Sequence, residues 1–189
     1  MIAPMTTQPK PHMTVDEFLV WAEAQPGRFE LYNGVVYAMA PERTGHAETK
    51  HRVARALEDA IKAKGARCWM LPDGMTVRID KDTAHEPDAL VYCGKKLPGT
   101  APEVPRPVVV VEVLSPSTRH IDASVKLAGY FSLPSVQHYL IVNPSGPPVL
   151  HHQRNADGTL LTRLVPATAM IELDPPGLSF NAGSLFRTR

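Results

Sequence analysis

Two periodicities alternate along this chain. From Thr14 the spacing is helical: Thr14 with Glu17 three positions later makes a reciprocal capping signature, so a helix is expected to about Ala24, ended by Pro26-Gly27. Next come Phe29-Glu30-Leu31-Tyr32, Asn33-Gly34 and Val35-Val36-Tyr37-Ala38-Met39. Asn-Gly between two apolar runs predicts a hairpin, because both turn residues need positive φ. After a loop from Pro41 to Gly45, His46 to Lys64 reads as the longest helix. Val53, Ala54, Leu57, Ala60 and Ile61 form its apolar stripe, and His46 and Lys50 continue that face toward the N-terminus. Gly65 closes it.

Period two then takes over. Strands are expected at Ala66–Met70 and Met75–Ile79, joined by the turn Pro72-Asp73-Gly74. Pro87-Asp88-Ala89-Leu90-Val91-Tyr92 and Val108-Val109-Val110-Val111-Glu112-Val113-Leu114 follow, with a Gly-, Pro- and Lys-containing loop from Gly94 to Pro107 between them. The valine run is apolar on both faces, which predicts a central, buried strand. Ser115-Pro116-Ser117-Thr118 breaks it, and a helix from about Ile121 to Ser132 is stopped by Pro134. A strand from Val136 to Val142 and a hairpin made of Val149–Gln153 and Leu160–Val165 complete the regular pattern. The order predicts an α/β fold, a central mixed β-sheet flanked by helices.

The chain has 189 residues, 43% apolar and 21% charged, ordinary values for one domain with a sizeable core. The segment from Met1 to Pro11 is polar and proline-rich, without a signal-peptide core. We therefore expect a flexible tail over 1–13 and one domain over 14–189. No apolar stretch approaches the roughly 18 residues of a membrane span. Cys68 and Cys93 belong to no CxxC pair and read as reduced core thiols of a cytoplasmic protein.

The chemistry lies in two acids. Asp88 and Glu112 each sit on an apolar strand, where a carboxylate is costly unless a cation or donors hold it. If the strands are neighbours, both reach one divalent ion, and the carbonyl of Val113 supplies a further oxygen. Hard oxygen ligands suit magnesium or manganese. A metal so held polarises a phosphoryl oxygen and activates a water. Asp122 and Lys126 share one face of the following helix, so Lys126 reaches back toward the acids, where an ammonium orients water or stabilises developing charge.

These residues carry a resemblance. Glu86-Pro-Asp-Ala-Leu-Val91, Glu112-Val-Leu-Ser-Pro-Ser-Thr118 and Asp122-Ala-Ser-Val-Lys126 with Tyr130 resemble the PD-(D/E)XK nuclease superfamily and, more closely, the large bacterial Uma-type family of restriction-endonuclease-like proteins. Phe29–Gly34, His46 and Val136–Pro144 match as well. The resemblance implies a restriction-endonuclease-like core, magnesium-dependent phosphodiester hydrolysis of DNA, and Asp88 and Glu112 as metal ligands. The superfamily pattern places lysine two residues after the second acid; Leu114 stands there, and Lys126 is the substitute. Glu30 is a further candidate acid, since related nucleases bring one from an early element. Its alternative is an edge-strand residue facing solvent, and that of His46 a helix-start residue. The alternative function is a nuclease-fold module that binds nucleic acid or a protein partner without turnover.

Net charge is +1, so DNA contact requires a local patch. Arg43, Lys50, Arg52, Arg55, Lys62, Lys64 and Arg67 against Glu48, Glu58 and Asp59 make the long helix basic. That is a phosphate-tracking face or a solvated one. Lys95 and Lys96, between the two acid strands, are expected nearer the site. A homodimer is plausible on the ground that cutting both strands needs two sites. His151-His152 points to opposite faces of a strand and reads as incidental.

Overall fold

The computed structural model describes residues 12–114 and 123–186. Helix α1 spans Val15–Glu23, α2 Thr44–Lys64 and α3 Ala123–Ser132. The Thr14 hydroxyl accepts from the Glu17 N–H while the Glu17 side chain accepts from the Thr14 N–H, so the capping box is complete. Gly65 takes the left-handed conformation (φ 63°) at the end of α2. Residues 1–11 of the expected tail lie outside the described residues. Met13 donates to the Gly34 carbonyl.

Strands β1 (Phe29–Tyr32) and β2 (Val35–Ala38) form the Asn-Gly hairpin, with φ of 47° at Asn33 and 72° at Gly34. They join β4 (Val77–Arg78) and β5 (Ala84–His85) in a small sheet ordered β2-β1-β5-β4. The expected strand at Met75–Ile79 therefore shrinks to two residues and leaves the main sheet. Its neighbour Ala84–His85 is too short to show any period in sequence.

The main sheet contains β3 (Cys68–Pro72), β6 (Ala89–Cys93), β7 (Pro107–Val113), β8 (His138–Val142), β9 (Val149–Arg154) and β10 (Leu160–Val165). Their order is β10-β9-β8-β7-β6-β3, and β7–β8 is the parallel pair, with α3 in the connection between them. A separate hairpin of β11 (Met170–Leu173) and β12 (Leu178–Asn181) packs by α2.

Alternate residues of the central strands enter different cores, as a sheet covered on both faces requires. Val109, Val111, Val113, Ala89 and Val91 pack with Val53, Leu57 and Ala60 of α2. Val110, Leu90 and Tyr92 pack with Tyr130 of α3 and Tyr139. A third cluster joins Val15 and Phe18 of α1 to Leu31, Val36 and Ala84.

The cysteines correct an expectation. Cys68 and Cys93 are paired directly across β3–β6, and a disulfide joins them. The expectation of two free thiols looked for closeness in sequence, whereas the strand register supplied closeness in space across 25 positions.

Candidate active site

At the C-terminal end of β7, Glu112 faces α3. Lys126, on the first turns of α3, donates to Glu112 Oε1 at 2.9 Å and to Glu30 Oε1 at 2.8 Å. Tyr130, one turn further on, donates its hydroxyl to the same Glu112 oxygen at 2.8 Å. Glu30 also accepts from the backbone N–H of Glu86 at 2.9 Å. Lys126 is 5% exposed and both acids 7%, so this is a buried pair of carboxylates sharing one ammonium. Below it lies His85, 1% exposed, with Nδ1 4.0 Å from Glu30 and its ring edge-on to Tyr130.

Asp88 sits one residue before β6. Continuing the Ala89↔Val111 pairing by one position sets it opposite Glu112, on the same face of the pair. Its Oδ2 accepts from the Val113 N–H at 2.6 Å. From the N-terminal half of α2, His46 Nε2 lies 3.7 Å and Lys50 Nζ 3.6 Å from the two Asp88 oxygens. His46 Nε2 is 2.9 Å from the Val113 carbonyl, which only accepts, so Nε2 carries the hydrogen in that contact. In the neutral ring, Nδ1 then keeps a bare lone pair. That atom is buried without a hydrogen-bond partner among the described residues and lies 3.9 Å from Glu42 Oε1.

Around this centre runs an outer ring of charge. Arg28 binds Asp73 at 2.5 Å and Glu86 at 3.1 Å, and Lys50 binds Glu42 and Asp73. The Asp73 turn, the Glu42 loop and the start of α2 are thereby tied together over Asp88.

One ammonium between two acids divides their titration. Burial alone would push both carboxyls up. For Glu30 that is outweighed by Lys126, His85 and the Glu86 N–H, which hold it below the ordinary range. For Glu112, burial and then the nearby charges of Asp88 and Glu30 prevail over Lys126 and raise it to about 7. Asp88 is raised by burial, against the Val113 N–H, His46 and Lys50. Burial would lower Lys126, but Glu112 and Glu30 raise it, so the amine stays protonated. Burial lowers His85 to about 4, leaving it neutral.

The structure thus gathers Asp88, Glu112, Val113, Lys126, Glu30 and His46 at one end of β6 and β7. Asp122, expected on the lysine's face, lies outside the described residues, as does 115–118. Among the described residues, the trio with mutually close ligand atoms (within 4.8 Å) is Glu42, His46 and Asp88. Glu42, Asp73, Glu86, Arg28 and His85 were missed as site residues. Asp73 read as turn chemistry, Arg28 carried no signal, and only the position of Glu86 two residues before Asp88 signalled it. The bonds of Lys50 to Glu42 and Asp73 remove it from the basic face of α2, and Arg52 pairs with Glu48 at 3.2 Å. The expectation for Lys95 and Lys96 also fails. They follow Cys93 at the opposite end of β6 from Asp88, with Lys96 over the Trp69 ring. His151 and His152 are buried on opposite faces, bonded to His138 and Thr162.

A family model, Uma2, described as "Putative restriction endonuclease", matches residues 15–183. An uncharacterised protein of Synechocystis sp. is 29% identical over 188 residues, covering 99% of this chain and 98% of its own. A second uncharacterised protein of that organism is 24% identical over 163 residues, covering 85% and 92%. The crystal structure of "a putative nuclease belonging to DUF820" from Anabaena variabilis superposes with a TM-score of 0.66 at 16% identity, covering 92% of this chain and 97% of that one. At that identity the match is one of fold. Among the described residues, no helix is long and apolar enough to cross a membrane.

Proposed function

From a chain that belongs to the Uma2 family, we propose a metal-dependent DNA endonuclease that hydrolyses phosphodiester bonds. The observation behind it is the buried ammonium of Lys126 shared by Glu30 and Glu112, with Asp88 directly across the strands from Glu112.

The residues fit a small divalent ion, magnesium or manganese. Asp88, Glu112 and the Val113 carbonyl offer hard oxygens, and Glu42 and His46 bring ligand atoms within 4.8 Å of that of Asp88. The bound ion would polarise the scissile phosphoryl group and acidify its water. Lys126, fixed by two bonds and held protonated, is no proton acceptor. It orients a water or offsets charge on the phosphoryl oxygens. Burial raises Glu112 to about 7, and a cation bound to it would favour its ionised, ligating form. Tyr130 and Lys126 fix its Oε1.

One observation favours a second reading, a module that binds DNA or a protein without turnover. Leu114 occupies the usual lysine position, and the amine of Lys126 is already committed to two acids. Supercoiled plasmid incubated with the protein and Mg²⁺ or Mn²⁺ separates the two. Nicking that is lost in Asp88→Ala and Lys126→Ala supports the enzyme. Intact plasmid with retained DNA binding supports the module. Cutting both strands of a duplex would call on two sites, which a homodimer supplies.

A further inference from the structure

Strand β10 ends the six-stranded sheet, and among the described residues no strand pairs with its outer edge. Its first five residues are all exposed, with Leu160 at 40%, Leu161 at 38% and Leu164 at 68%. A long apolar edge of this kind is what proteins ordinarily blunt with charge, proline or a covering element. Here Arg163 is the one charge along it.

The hydrogen-bond phase of the edge follows from its neighbours. Asn155 N–H donates to the Thr159 carbonyl, and Arg154 N–H donates to Gln137 on the β8 side. In the β9–β10 register this assigns the inward bonds to Leu161, Arg163 and Val165. The N–H and C=O groups of Leu160, Thr162 and Leu164 therefore point outward, and among the described residues they have no main-chain partner.

We infer that a second copy of this chain pairs there, β10 against β10 antiparallel, about a two-fold axis at Thr162. An extended edge of unpaired amides takes a β-strand, and the side chains select which strand. Centring on Thr162 sets Thr162 against its own copy, Leu160 against Leu164 on one face, and Leu161 against the stem of Arg163 on the other. Threonine pairs and apolar pairs are favourable across strands. Centring one residue later sets Arg163 against Arg163, a like-charge pair, and brings Pro166 opposite Leu160. The Thr162 register also uses every outward amide between 160 and 164. The two sheets become one continuous sheet, with the candidate sites on the same face. The interface supplies the second copy that the functional reading calls for, yet stands on the edge alone.

Sedimentation at tens of micromolar is expected to give twice the 20.7 kDa chain mass. Leu164→Lys, at an exposed position, should restore the single-chain mass while keeping the wild-type circular-dichroism spectrum and a cooperative unfolding transition. In separate variants, a short bis-maleimide should join Thr162→Cys chains. It should fail with Leu160→Cys, whose copies lie about 13 Å apart along the strand in this register. The wild-type chain, its cysteines bonded to each other, is the blank. A monomeric wild type, including one that binds only foreign strands, overturns the inference. So does a dimer that survives Leu164→Lys or cross-links equally at 160. Neither measurement involves DNA or metal, so failure here leaves the nuclease reading intact, and failure to cut DNA leaves this one intact.

Discussion

Replacing Lys126 by methionine keeps the side chain as far as Cε and removes the ammonium with its charge. Glu30 and Glu112, each 7% exposed, then face each other without the ammonium that both now accept from. Removing one partner of a buried ion pair costs about 3–5 kcal/mol, because a desolvated charge is left behind. The acids escape that cost by taking up protons, and the cost of a proton depends on pH. From the ordinary glutamate value of 4.5, neutralising Glu30 at pH 8 spans 3.5 units, about 5 kcal/mol, so the full pair penalty is felt. At pH 5 it spans half a unit, about 0.7 kcal/mol, and Glu112, already raised to about 7, is protonated. In the variant both folded-state values lie above the unfolded one. The sign is therefore fixed: its stability is greatest below pH 4.5 and is lost as pH rises. Urea unfolding of both proteins at the two pH values should show a destabilisation of about 3–5 kcal/mol at pH 8 and about 1 kcal/mol at pH 5. The same destabilisation at both, or less than about 1 kcal/mol at pH 8, would refute the shared-ammonium arrangement.

Two further outcomes follow from the same structure. In the wild type Glu112 binds its proton more tightly folded than unfolded, so its contribution to stability falls between pH 4.5 and about 7. Those 2.5 units amount to about 3 kcal/mol, and the stability gap to Glu112→Gln, followed across that window, should change by that much; a flat gap contradicts it. The Cys68–Cys93 bond closes a loop across 25 positions, and its reduction should cost about 3 kcal/mol in urea unfolding. Maleimide labelling of the denatured, unreduced protein should find no thiol, and two labelled cysteines would show that the bond is not formed.

Much of the scaffold was legible because its signals are local. The Thr14–Glu17 box, the Asn33-Gly34 turn, Gly65 and the valine run each fix their element through contacts a few residues long. The burial of Glu30, Asp88 and Glu112 was legible because a charge inside an apolar strand demands a partner, and Lys126 was reached from its spacing to Asp122 and from the family resemblance. Their partners were less so. That Lys126 bridges Glu30 and Glu112 depends on tertiary packing across 96 positions. The outer ring of Arg28, Glu42, Asp73 and Glu86 lies on turns and loops, where charged residues are ordinary and carry no period. Lys50 illustrates the limit: the helical spacing placed it on the His46 face, and counting charges placed it on the solvent face. The structure sides with the spacing, because an ammonium one-tenth exposed is held there by Glu42, Asp73 and Asp88. The cysteines failed for the same reason as the outer ring, since only the β3–β6 register sets them side by side.

Anomalous diffraction from a crystal soaked in manganese tests the central claim most directly, because it locates the cation without reference to activity. The account predicts a peak bonded to the Asp88 carboxylate and to Glu112 or the Val113 carbonyl, on the side facing His46. A saturated soak with no peak at Asp88, its oxygens still on the Val113 amide and beside Lys50, would contradict it.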